Sequence, residues 1–183
     1  MTLIYKSEEI TVRELEKSDE LTLVSWLSNP SLLQYYEGRD RPHNLEMVRD
    51  SYYVEDEENR CIIEYKGRPI GYIQFYLLDE ASRKEYGYSQ KNEKIYGMDQ
   101  FIGEIDYWNK GIGKKLVKSM LGYLVHHEEA DRIVMDPQAW NMRAIACYEK
   151  CGFKKVKLLQ QHEKHEGQWR DCWLIEYSPN QSE

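Results

Sequence analysis

The run from Trp108 to Lys114, with Gly111 and Gly113 inside it, follows a strand-like segment, Ile95 to Ile102, and opens a helix-like one, Gly111 to Val125. A glycine-rich turn at a strand-to-helix junction aims backbone N–H groups at an anion, and the helix dipole adds partial positive charge there. The ligand such a turn suits is a phosphate. A P-loop needs four residues between its glycines and a Lys-Ser/Thr pair after them, and a dinucleotide fingerprint needs a third glycine where Leu116 stands; neither pattern fits. Further on, Asn141 to Phe153 forms a short helical pattern carrying Ala144 and Tyr148 and ending at Gly152 and Phe153.

The pairing of Gly111 and Gly113 with Asn141, Ala144, Tyr148 and Gly152-Phe153 resembles the acetyl-coenzyme A site of the GNAT family of N-acetyltransferases. Tyr96 to Glu104, Asp136-Pro137 and Tyr36 to Asp40 look like segments of the aminoglycoside 6'-N-acetyltransferases within it, in particular the acetyltransferase half of the bifunctional acetyltransferase-phosphotransferase enzymes. The likeness covers nearly the whole chain. It departs at Trp108, where the family usually has Gln or Arg three residues before the first glycine.

The resemblance implies transfer of acetyl from acetyl-coenzyme A to the 6'-amine of an aminoglycoside, by direct attack in a ternary complex and with no metal. The backbone N–H groups of Gly111, Ile112, Gly113, Lys114 and Lys115, beside Lys110, would then hold the pyrophosphate. Asn141, Ala144 and Tyr148 would meet the pantetheine arm, and a splay near Gln100, Phe101 and Ile102 would free a backbone donor for the thioester oxygen. Substrate contacts would come from Tyr36, Glu37, Asp40, Asp99, Gln100, Glu104, Asp136 and Asp171, since a polyammonium ligand calls for carboxylates and aromatic faces.

Two residues are candidates for chemistry. A phenol of pKa about 10 can protonate a leaving thiolate of pKa about 8.5 for roughly 2 kcal/mol, which suits Tyr148; the alternative is that it packs in the core. Asp99 sits mid-strand between Met98 and Gln100, where an acid needs a partner. As a base it faces an amine about 6.5 units more basic, some 9 kcal/mol uphill in water, a gap that desolvation narrows. Binding and orienting the amine is therefore its first role and proton removal its second. The alternative is an Asp paired to a nearby backbone group or Arg.

The 183 residues, 41% hydrophobic and 31% charged, suit one domain spanning 1–183. A net charge of −7 works against nucleic-acid partners and favours a cationic small substrate. Cys61, Cys147, Cys151 and Cys172 form no CxxC pair, and His162 and His165 lie three apart rather than the four of a metalloprotease helix. Reduced thiols and a solvated turn at 162–168 are the expectations. Met1 to Lys6 lacks an apolar signal core, and no run approaches a membrane span, so a cytoplasmic location is expected.

The periodicity predicts strands at 10–15, 61–65, 69–78, 95–102, 132–135, 154–159 and 169–177, with a helix capped by Ser18-Asp19 and others at 31–36, 44–53, from Gly111 and after Asn141. Asp79 to Glu93 reads as a loop, and Glu55 to Glu58 as a solvated one. The expected fold is α/β (mixed), the GNAT acyl-CoA N-acyltransferase fold: a central mixed sheet of about seven strands with helices on both faces. A polyamine or protein N-terminal acetyltransferase, and a coenzyme A binding module without turnover, are the alternatives.

Overall fold

Alternating apolar positions bury Ile10 and Val12 on one face of β2 (Ile10–Glu14), and β1 (Leu3–Lys6) pairs with it antiparallel, Tyr5 opposite Val12. Both belong to a computed structural model that describes residues 1–181. The other strands are β3 (Asn59–Tyr65), β4 (Arg68–Leu77), β5 (Ile95–Ile102), β6 (Arg132–Met135), β7 (Lys154–His165) and β8 (Gln168–Tyr177). They form one eight-stranded sheet in the order β1-β2-β3-β4-β5-β6-β8-β7. The sheet is mixed, since β5 and β6 run parallel while β2 with β3 and β6 with β8 run antiparallel. It has eight strands rather than the expected seven: β1 is a four-residue edge strand with Leu3 exposed, too short and too wet for an alternation signal.

The helices are α1 (Glu20–Trp26), α2 (Pro30–Leu33), α3 (Leu45–Tyr52), α4 (Glu80–Tyr86), α5 (Ile112–His126) and α6 (Met142–Lys150). Helix α4 corrects the loop expected at 79–93: the Asp79 carboxylate accepts the Ser82 N–H at 2.7 Å, and Gly87 ends the helix at φ +86°. No described helix is long and apolar enough to cross a membrane. The solvated turn expected at 162–168 is also corrected. β7 continues to His165, and only Glu166 and Gly167, at φ 50° and 77°, turn the chain into β8, as a two-residue hairpin requires.

The chain divides into two compact units, the first built from residues 1–74, 100–112 and 165–168, the second from 75–99, 113–164 and 169 onward. The first is centred on Leu23, Trp26, Leu32, Val48, Tyr52, Ile62, Tyr72 and Phe101, with Tyr36 and Trp108 packed against them. Asp19, expected as a helix cap, is buried there instead. Its carboxylate accepts two bonds from the Arg13 guanidinium, each 2.8 Å, while Arg13 Nε donates to Glu64 at 2.8 Å. In the second unit Leu78, Ile95, Val134, Leu159, Cys172 and Leu174 form the centre, with Tyr76, Tyr86 and Tyr88 against it.

Candidate functional site

Gly97 of β5 lets the Tyr76 ring press close against the strand: a Cβ there would stand 2.4 Å from the ring. The Tyr76 hydroxyl then donates to Asp99 Oδ2 at 3.0 Å, two residues further along the same strand. Burial first, and then the charges of Asp99 and Asp136, push the Tyr76 phenol far above its ordinary range, so it keeps its proton and acts as a fixed donor. Asp99 is half-buried. The ladder between β5 and β6 runs over Ile95–Gly97 and β6 ends at Met135, so β5 carries Asp99 beyond the end of its parallel partner.

Asp136, the first residue after β6, has its Oδ2 held by two donors, the Tyr86 hydroxyl at 3.0 Å and His162 Nε2 at 2.8 Å. His162 Nδ1 faces Glu85 Oε1 at 3.1 Å. Asp99 and Asp136 are thus gathered around Tyr76, Tyr86 and His162, none of which stands out in the sequence. The signals were the Asp79 to Gly87 capping pattern, which would have revealed α4, and the length of β7, which a polar run concealed. Asp171 is engaged elsewhere: its Oδ1 accepts the Gln161 N–H at 2.9 Å and its carbonyl accepts that of Ala139 at 2.8 Å.

Helix α6 carries Ala144 and Tyr148, with Asn141 as its cap: Asn141 Oδ1 faces the Ala144 N–H at 3.4 Å. Tyr148 is half-buried and meets Phe153 edge-on at 6.2 Å, the chain turning between them at Gly152, φ +105°. Burial raises all four thiols, Cys61 to about 12 and Cys151 to about 11, so none is a ready thiolate at neutral pH.

In the first unit, Tyr36 packs on Phe101 with centroids 4.7 Å apart. Glu37 and Gly38 take left-handed conformations, and Arg39 closes the segment through a two-pronged pair with Glu166, at 2.6 and 2.8 Å. Asp40 is exposed. Glu104 accepts the Trp26 indole N–H at 3.0 Å, with Arg68 3.6 Å away, so it is a partly satisfied acid rather than a bare one. Phe101 is a core side chain, stacked on Tyr72, whereas Gln100 and Ile102 are half-buried.

The glycine turn has the expected local form. Asn109 and Gly111 are left-handed at φ 60° and 75°, and a Cβ on Gly111 or Gly113 would meet nothing within 4 Å, so the backbone there is open to a large ligand. Lys110, Lys114 and Lys115 are exposed around it. The turn opens a 15-residue helix whose first-turn N–H groups lack intrahelical partners, the donor set a pyrophosphate needs. Trp108 is a structural anchor: its indole N–H donates to the Ile102 carbonyl at 2.8 Å and its ring meets Tyr35 edge-on.

A mixed sheet whose parallel strands part at Gly97, followed by a glycine turn opening a long helix, defines an α/β fold of the acyl-CoA N-acyltransferase type. The chain belongs to the GNAT acetyltransferases, matching the family described as "Acetyltransferase (GNAT) domain" over residues 16–161. It is 28% identical, over 153 residues, to aminoglycoside N(6')-acetyltransferase type 1 of Klebsiella pneumoniae, covering 81% of this chain and 76% of that protein. It is 29% identical to the spermine/spermidine N(1)-acetyltransferase of Bacillus subtilis over 90 residues, 49% of this chain and 55% of that one. Among solved structures, aminoglycoside acetyltransferase AAC(6')-Ib in complex with coenzyme A and kanamycin shares the fold at a TM-score of 0.72, with 24% identity over 93% of this chain and 95% of that one. Spermidine N-acetyltransferase from Vibrio cholerae in complex with coenzyme A and spermine does so at 0.74, with 18% identity over 95% and 98%.

Proposed function

We propose that this chain, acting as one acetyltransferase domain over residues 1–183, transfers acetyl from acetyl-coenzyme A to the 6'-amine of aminoglycosides in the cytoplasm. The observation that carries this reading is the extent of the likeness: the aminoglycoside acetyltransferase aligns over 153 residues, the polyamine enzyme over 90. The paired acids Asp99 and Asp136, each held by a tyrosine hydroxyl, support it as partners for a polycation.

In this reading the open turn at Gly111 to Lys115 holds the pyrophosphate, with Lys110 beside it. Asn141, Ala144 and Tyr148 meet the pantetheine arm, and the backbone at Phe101 and Ile102 meets the acyl end. The donor supplies the activated thioester. Asp99 binds and orients the amine and then accepts its proton, directly or through water, while Tyr36, Glu37, Asp40, Gln100, Glu104 and Asp136 bind the rest of the substrate. Tyr148 protonates the leaving thiolate. Direct transfer is supported by the raised pKa of every cysteine thiol, which leaves no activated sulfur to carry an acetyl group.

Tyr148→Phe keeps the ring against Phe153 and removes the proton; kcat is expected to fall about 10²-fold, the low end for a positioned acid, with the KM for acetyl-coenzyme A little changed. Steady-state kinetics check this, and an undiminished kcat would remove Tyr148 from the mechanism. The reading as a whole is tested by thiol release from acetyl-coenzyme A with kanamycin, a 6'-hydroxyl analogue of the same ring system, and spermidine. Turnover with kanamycin alone supports it, and turnover with spermidine alone would move the protein to the polyamine acetyltransferases.

A further inference from the structure

His162 is half-buried on β7, and three carboxylates act on it: Asp136 beyond β6, Glu85 on α4, and Glu163 beside it on β7. Tyr86 of α4 lies against its ring at 6.2 Å. From β8, the Cys172 thiol faces Glu163 at 3.7 Å, within the fields of Asp136 and Asp171. A neutral imidazole has one N–H, yet both ring nitrogens here stand at hydrogen-bond distance from carboxylate oxygens, Nε2 at 2.8 Å and Nδ1 at 3.1 Å. Only the imidazolium presents an N–H to each, Nε2 in a hydrogen bond to Asp136 and Nδ1 in an ion-pair contact with Glu85. The bond to Asp136 and the charges of Asp136, Glu85 and Glu163 favour that form, overcoming the opposing effects of burial and of Lys157, whose ammonium donates to the Glu85 backbone carbonyl at 2.8 Å.

Asp136 is also one of the acids assigned above to the substrate, and its Oδ2 already takes both the His162 and Tyr86 bonds. We propose that His162 is the resident counter-cation of Asp136, which a substrate ammonium group displaces on binding. The inference rests on the placement of a cationic substrate at Asp136. When the ammonium arrives, its N–H bonds to the carboxylate form, the His162 to Asp136 pairing weakens, and the imidazolium proton passes to water. Binding and proton loss are then linked: the cation lowers the affinity of His162 for its proton, and loss of that proton raises the affinity of Asp136 for the cation by the same factor. His162 is in these terms a positioning residue. It keeps Asp136 solvated by charge while the site is empty and yields it when a stronger polycation competes.

The test is an NMR titration of the His162 ring from about pH 5 to pH 8, with the resonance assigned through His162→Gln. The midpoint is expected above the ordinary value of about 6.5 in the free protein, and about 1 unit lower both in Asp136→Asn and in wild type saturated with kanamycin or spermidine. Kanamycin is expected to bind wild type up to about 10-fold more tightly above the midpoint than below it, and His162→Gln to flatten that dependence. A midpoint unmoved by Asp136→Asn, or unmoved by both polyammonium probes, overturns the proposal. Absence of kanamycin turnover would count against the aminoglycoside reading alone, because the titrations with Asp136→Asn and with spermidine need no turnover.

Discussion

Asp99→Asn is expected to lower kcat/KM for an aminoglycoside by about 10²–10⁴-fold, the span found for positioned acid–base groups, while leaving the thermal midpoint and the KM for acetyl-coenzyme A nearly unchanged. The substitution separates fold from chemistry because Asn keeps a carbonyl oxygen to accept the Tyr76 hydroxyl bond now made to Asp99 at 3.0 Å. What it removes is the negative charge, and with it both the attraction for an ammonium group and the acceptor for its proton. Tyr76 cannot replace that charge, since burial and the neighbouring acids keep its phenol protonated. Initial-rate kinetics with melting curves on the same preparation check the expectation; equal kinetics would leave Asp99 as a packing partner of Tyr76 and nothing more.

Arg13→Met is expected to destabilise the protein by about 3–5 kcal/mol, the usual result of leaving buried charge uncompensated. At roughly 2–4 °C per kcal/mol for a chain of this size, the midpoint drops by about 6–20 °C. The guanidinium serves two acids, Asp19 through both terminal nitrogens and Glu64 through Nε, and its side chain is 7% exposed. Burial pushes the Asp19 carboxyl up, but the Arg13 hydrogen bonds, the Glu16 backbone bond and the Arg13 charge together hold it below its ordinary value. A carboxyl lowered on folding contributes stability that is present above its unfolded pKa of about 3.9 and is lost as pH falls through the folded value. The deficit of the variant should therefore be largest near neutrality and shrink in acid, where the orphaned carboxylates take up protons. Melting curves at both ends of that range decide it, and a pH-independent deficit would attribute the loss to packing instead.

The elements that carry the glycine turn and α6 were legible because each combines a periodic apolar face with a stop signal: Ile112 to Val125 after Gly111, and the Asn141 helix before Gly152. Strand β6 matched its expected bounds, Arg132 to Met135, for the same reason. What failed was read from local polarity alone. Residues 79–93 looked like a loop because none of the α4 residues is buried, although its cap and terminal glycine were present. His162 looked like part of a solvated turn because its neighbours in sequence are charged. Its true surroundings come from α4 and the end of β6, a proximity set by strand register and invisible to any window of sequence. Asp19 failed in a related way: the cap position was right, but the demand of a buried arginine six residues earlier outweighed the helix end.

The close seat of the Tyr76 ring against Gly97 constrains how such a chain can change. Positions 76 and 97 are a single heritable unit: Gly97→Ala alone drives the phenol off Asp99, and pairing it with Tyr76→Leu is expected to recover thermal stability but not kcat, since space returns and the donor does not. Melting curves and initial rates on the single and double variants check this; a double variant with full kcat would free Asp99 from its dependence on the Tyr76 hydroxyl. New substrate preferences are more readily explored at exposed acids such as Asp40, which lies outside the core.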